Sequence, residues 1–173
     1  MINNIRRQLT LFVEQNDAQI IEQVRQKFNP GQFDLIKAHV TLCRENEIEN
    51  LDNVISNLLT LSQKAITIEF GKATRFDNGN GLLLTATGNN TEFHGLRQKV
   101  LKGVTDHPKK QEPHITLMHP RNSTCTDNIF KQVHTINLPV KLAFKKVSLI
   151  EQINGASWIV LQEFELLDRT NKL

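Results

Sequence analysis

The sequence predicts an α+β protein built as two lobes related by a pseudo-two-fold axis, with antiparallel sheets lining a central cleft and helices packed outside. Three observations carry this. A tetrapeptide occurs twice, His39-Val40-Thr41-Leu42 and His114-Ile115-Thr116-Leu117. A helix-capping side chain precedes each copy at the same offset, since positions 16 and 91, like positions 39 and 114, are 75 residues apart. Two strong hairpin signals, Asp77-Asn78-Gly79-Asn80-Gly81 and Asn154-Gly155, supply residues that tolerate positive φ. With 6 His, 14 Thr and 21 Leu in 173 residues, roughly 0.06 copies of His-x-Thr-Leu are expected from composition alone. A period of this length is too long for a solenoid and implies two lobes, each contributing one motif strand.

Taken in order, Gln8 to Val13 reads as a strand, and Asn16 or Asp17 caps a helix whose apolar face is Ile20, Ile21, Val24 and Phe28. Asn29-Pro30-Gly31 ends that helix and opens a connecting loop through Lys37. The first motif strand follows, then a helix carrying Ile48, Leu51, Val54, Ile55, Leu58 and Leu59. Ile66 to Phe76 alternates as a strand and pairs across the Asp77–Gly81 turn with Leu82 to Thr87. Thr91 caps a third helix bearing Phe93, Leu96, Val100, Leu101 and Val104, and a polar connection from Asp106 to Pro113 leads into the second motif strand. A weaker helix spans Thr126 to His134. Val140 to Gln152 and Ser157 to Leu166 close the chain as a hairpin, and a phase slip between Phe144 and Val147 predicts a β-bulge near Lys145-Lys146.

At 39% hydrophobic, the 173 residues can bury a substantial core, expected as one two-lobed domain over 1–173. A net charge of +3 is too mild for non-specific duplex binding but suits an anionic ligand. Cys43 and Cys125 lack metal-ligand spacing and are too few for a disulfide framework, so reduced thiols in a cytoplasmic protein are expected. The apolar run Leu9 to Val13 is too short for a signal-peptide core or a membrane span. Neither a membrane nor an obligatory protein partner is expected, and the chain should be a monomer.

The chemistry lies in the repeat. On a strand, successive side chains alternate, so His and Thr share one face while Val or Ile and Leu share the core face. If the two copies face each other, one imidazole can take a proton while the other gives one, as in-line displacement at a phosphodiester requires. Thr41 and Thr116 can donate to non-bridging phosphate oxygens as charge builds. No clustered carboxylates accompany the histidines, and His114 with His119 has the wrong spacing to share a strand face, so the chemistry is expected to need neither metal nor other cofactor.

These two signatures resemble those of the two-histidine phosphoesterase superfamily, whose relatives include bacterial 2′,5′ RNA ligases and cyclic phosphodiesterases. The resemblance covers nearly the whole chain. It implies that His39 and His114 are the acid/base pair and that Thr41 and Thr116 bind the phosphate. It also implies that the substrate is a ribose cyclic phosphate or a 2′,5′ phosphodiester of a nucleotide or RNA end. Ligase-like relatives often continue the second signature with a small residue and Arg, whereas Leu117 is followed here by Met118-His119-Pro120-Arg121. That departure points away from the ligase-like branch.

Arg121 is a candidate phosphate contact, while Arg44 should turn away from His39 if its strand continues. Alternation puts Cys43 on the His39 face as cleft floor rather than nucleophile. His94, His107, His119 and His134 fall on helices or loops. Two other function classes compete with the enzyme: a catalytically idle nucleotide- or RNA-binding module of the same fold, and a structural protein. The first would be favoured by loss of a motif His or Thr, and the second leaves the polar repeat unexplained.

Overall fold

The computed structural model describes residues 4–105 and 107–168. Asp106, the first residue of the polar connection before the second motif, lies outside them. Among the described residues, eight strands and five α-helices follow the order β1 (Ile5–Phe12), α1 (Gln15–Phe28), α2 (Pro30–Leu35), β2 (His39–Cys43), α3 (Leu51–Thr60), β3 (Ile66–Phe76), β4 (Gly81–Ala86), α4 (Thr91–Val100), β5 (His114–Met118), α5 (Asp127–His134), β6 (Lys141–Phe144), β7 (Lys146–Ile153) and β8 (Ile159–Glu165). The strands form one sheet in the order β6-β3-β4-β5-β2-β1-β7-β8, and every described pairing is antiparallel. The order is two four-stranded lobes joined edge to edge, with the motif strands β5 and β2 meeting at the seam.

The core face of the sheet is covered by helices, and the lobes interlock through them: α1 packs on β5 and α4 on β2. Val40, Leu42, Ile115 and Leu117 are completely buried beneath these helices, each contributing roughly 1.5–3 kcal/mol through removal from water. Each lobe's helix therefore clamps the other lobe's motif strand.

Several expectations change in three dimensions. The phase slip near Lys145 is not a bulge within one strand: β6 pairs with β3 in one lobe, and β7 pairs with β1 and β8 in the other. The alternation breaks because the chain changes partner at Lys145. The expected loop after Asn29 is mostly the short helix α2, since Pro30 at a helix start loses no needed N–H and carries a preset φ. Glu14 rather than Asn16 or Asp17 is the cap of α1, without a side-chain bond. Thr91 is the first residue of α4, its N–H and hydroxyl both donating to Asn89 Oδ1 (3.2 and 2.8 Å), while Asn90 takes positive φ as the cap. Ile20 and Leu59 are exposed, because the sheet covers a narrower stripe of each helix than the sequence pattern suggests. Ile48 is buried just ahead of α3, at the end of a 3₁₀ turn over Glu45–Glu47. The two hairpins form as expected, with positive φ at Asp77, Asn78 and Gly79 and at Asn154 and Gly155.

Candidate active site

The site is set by strand register. β2 meets β5 at Val40 and Ile115. Continuing this antiparallel register by one residue each way sets His39 opposite Thr116 and Thr41 opposite His114. Opposed Cβ atoms in such pairs lie about 4.5–5.5 Å apart, and the two histidines lie on the diagonal at about 7–8 Å. Val40 and Ile115 point into the core, so these four side chains share the opposite face, and all four are half-buried. The register thus brings the four motif residues together.

Each imidazole is held in the same way. His39 Nδ1 is 2.7 Å from the Lys37 carbonyl and His114 Nδ1 is 3.2 Å from the Glu112 carbonyl. A carbonyl only accepts, so Nδ1 carries the proton in both rings, and a neutral ring keeps its lone pair on Nε2. Phe12, paired with His39 across β1 and β2, meets its ring edge-on at 6.1 Å between centroids. Burial foremost, with the Arg25 cation and the facing His114, outweighs the Lys37 hydrogen bond and brings His39 down to about 4. His39 is neutral at pH 7.

The backbone ahead of each histidine is fixed by a buried arginine. Arg25 of α1 donates to Glu22 (2.5 Å) and to the Ile36 carbonyl (2.7 Å), while Glu22 accepts from the Ala38 N–H. In the other lobe, Arg97 of α4 donates to Glu47 Oε1 (2.5 Å), to the Lys109 carbonyl (3.0 Å) and to the Leu42 carbonyl. Gln111 completes the link by donating to the Thr41 carbonyl at 2.9 Å. Lys109 and Gln111 lead directly into His114, so Arg97 ties the approach to one histidine to the end of the other's strand. A third tie comes from buried Asn29, whose Oδ1 accepts from His119 N–H (2.7 Å) and whose Nδ2 donates to Asn122 Oδ1 (2.8 Å). The sequence does carry a signal for the two arginines: Arg25 follows Ile21 by four residues and Arg97 follows Phe93 by four, so each lies on an apolar helix stripe. A charge there needs buried partners.

The remaining candidates lie elsewhere. Arg121 is exposed in the turn after β5 and lines a shallow bowl with Phe76, Asp77, His119 and Pro120. Arg44 is exposed and caps the 3₁₀ turn through its backbone N–H to Glu47. Cys43 does not line the cleft: the register of β1 and β2 shifts between Leu9 and Thr10, and Cys43 pairs with buried Leu9 and is itself buried. Burial pushes its thiol up to about 12, so it holds no thiolate at neutral pH. Among the described residues, no group of three or more His, Cys, Asp or Glu side chains could hold a metal ion, and no helix is long and apolar enough to cross a membrane.

The model of the 2′-5′ RNA ligase superfamily matches residues 12–156, which contain both motif strands and their supporting helices. The chain belongs to this superfamily. Members of it are generally phosphoesterases or ligases, so an enzyme is the expected form of the fold. Among solved structures, E. coli LigT complexed with NADP+ superposes with a TM-score of 0.64 at 15% identity, covering 94% of this chain and 97% of that one. E. coli LigT complexed with 3′-AMP gives 0.63 at 15% identity, with 94% and 98% covered. TT0787 of Thermus thermophilus gives 0.59 at 13% identity, with 95% and 99% covered. At such identities these likenesses establish the shared fold. No curated protein matches the chain in sequence.

Proposed function

We propose that the protein is a metal-independent phosphoesterase acting on a ribose cyclic phosphate, or on a 2′,5′ phosphodiester, at the end of a nucleotide or RNA. The single observation that carries this is the β2–β5 register, which sets each histidine across from the other strand's threonine on one half-buried face. His39, desolvated and neutral with its Nε2 lone pair free, is suited to take a proton from water. The hydroxide equivalent attacks phosphorus, the bond to one ribose oxygen breaks, and protonated His114 gives that oxygen its proton. Thr41 and Thr116 donate hydroxyl hydrogen bonds to the non-bridging oxygens. With a 5′-hydroxyl as attacking group in place of water, the same transfers make a phosphodiester, so ligation is the reaction's counterpart.

LigT has been crystallised with 3′-AMP, and a ribose monophosphate is the kind of ligand this face would hold after hydrolysis. The two cysteines are free and buried, which suits the reducing cytoplasm we assign to a monomeric enzyme.

The test is hydrolysis of 2′,3′-cyclic nucleotides by the wild type, His39→Ala and His114→Ala across pH. Each substitution should cost about 10²-fold or more, and the double variant should fall well short of the product of the two losses. The wild-type profile should be bell-shaped, with each histidine governing one limb. A folded His114→Ala protein hydrolysing at the wild-type rate would overturn the mechanism.

A further inference from the structure

The bowl at the end of β5 has a feature that the His–Thr face does not use. It is shallow and open to solvent, and is lined by Phe76, Asp77, His119, Pro120 and Arg121. It belongs to the same side of the sheet as the motif side chains. Leu83 pairs with Thr116 and Thr74 with Leu83, so Thr74 and Thr116 share a face, and Phe76 lies two residues further along it. The Phe76 ring lies across Gly81, where a Cβ would stand 2.3 Å from its edge, so only glycine lets the ring adopt this position. His119 follows Thr116 by three residues across a register shift of β5 against β4 that shortens the run, so the two lie within roughly 10 Å along the chain. An extended strand whose end occupies the His–Thr face would place its next nucleotide over the bowl.

The polar atoms there are mismatched in a telling way. His119 Nδ1 accepts the backbone N–H of Arg121 at 3.1 Å, so Nδ1 carries no proton. Burial first, then the Arg121 cation, lowers the His119 pKa against the opposing influence of Asp77, and the neutral ring must carry its proton on Nε2. Yet Nε2 lies 3.4 Å from Arg121 Nη2, which is also a donor. Two N–H donors thus stand side by side with no acceptor between them, which is the arrangement that an anionic oxygen completes. The exposed Asp77 carboxylate on the rim repels any phosphate, and repels the single charge of an internal phosphodiester less than the several charges of a polyphosphate.

We infer that the bowl is a subsite for the nucleotide adjoining the reacting phosphate, its base stacked on Phe76 and its phosphodiester oxygen bridging His119 Nε2–H and the Arg121 guanidinium. This rests on the phosphoesterase reading and adds that the enzyme prefers an RNA strand to a free cyclic mononucleotide. Aromatic stacking and one charge-assisted contact are each enough to shift affinity by about tenfold.

The experiment compares kcat/KM for a trinucleotide ending in a 2′,3′-cyclic phosphate with that for the cyclic mononucleotide of the same terminal base, in the wild type, Phe76→Ala and Arg121→Gln. The wild type should favour the trinucleotide. Each variant should cut that preference about tenfold, through KM rather than kcat. Arg121→Gln should also flatten the salt dependence of trinucleotide binding by about 0.7 in the log–log slope, the value for one single-strand phosphate contact. Equal losses on both substrates, or an unchanged preference in both folded variants, would overturn the subsite. If the wild type hydrolyses neither substrate, the phosphoesterase reading fails. The subsite is then judged by fluorescence anisotropy with a labelled trinucleotide, where equal affinities for wild type and Arg121→Gln would overturn it.

Discussion

Arg97→Met is the perturbation whose consequence the structure specifies most fully. Arg97 is 3% exposed and donates to six acceptors: the Leu42 and Lys109 carbonyls, both carboxylate oxygens of Glu47, Gln111 Oε1 and the Cys43 sulfur. Methionine keeps the length and apolar stem but removes every donor, so two main-chain carbonyls and a largely buried carboxylate lose their partner. Breaking one side of a buried ion pair typically costs about 3–5 kcal/mol. That is a large part of the ~5–15 kcal/mol that holds a domain together, and at ~2–4 °C per kcal/mol it lowers Tm by roughly 10 °C. Thermal and urea unfolding followed by circular dichroism measure it. Glu47→Leu in the Arg97→Met background should recover much of the loss, since the stranded carboxylate is then gone. Burial pushes the Glu47 carboxyl up, but the Arg97 hydrogen bond, the Arg44 N–H and both cations prevail and hold it below its ordinary value of 4.5. The stability from this depressed pKa is present above the unfolded value and is lost as pH falls through the folded one, so the wild type should weaken below about pH 4.5. Arg97→Met should lack that acid dependence. A Tm drop under about 3 °C, or no recovery in the double variant, would refute the assigned role of Arg97.

Three further outcomes are expected. Thr41→Val and Thr116→Val preserve shape while removing one hydroxyl donor each, and turnover should fall by about 2.7–4 kcal/mol of transition-state stabilisation; unchanged kinetics in both would return the threonines to structural roles. Arg25→Met removes a cation that lowers the His39 pKa and leaves Glu22 unpaired nearby, so both changes raise it from about 4 toward 6.5. The acid limb of the pH–rate profile should move to higher pH, and a downward shift would contradict the assignment of His39 as base. Chelator should leave wild-type hydrolysis intact, and activity abolished by chelator and restored by one divalent ion would defeat the metal-independent mechanism.

Much of this was legible before any coordinates, for a local reason. The two-residue period of a strand fixes which side chains share a face, so His39 with Thr41 and His114 with Thr116 could be read directly, as could the buried partners Val40, Leu42, Ile115 and Leu117. Positive-φ residues placed both hairpins for the same reason. Only tertiary structure decided what depends on distant partners. The phase slip at Lys145 is one local pattern with two physical causes, a bulge or a change of neighbour, and pairing with β3 before it and β1 after it chooses the second. Alternation likewise put Cys43 on the cleft side, and a register shift in the pairing of β2 with β1 buried it opposite Leu9 instead. Arg25 and Arg97 stand on apolar stripes, but their partners at Ile36, Glu47 and Lys109 are 11, 50 and 12 residues distant, and no window of sequence brings them together. The register that sets His39 across from Thr116 spans 75 residues between matching positions. It exists because two helices, each packed on the other lobe's strand, leave the motif strands one way to meet.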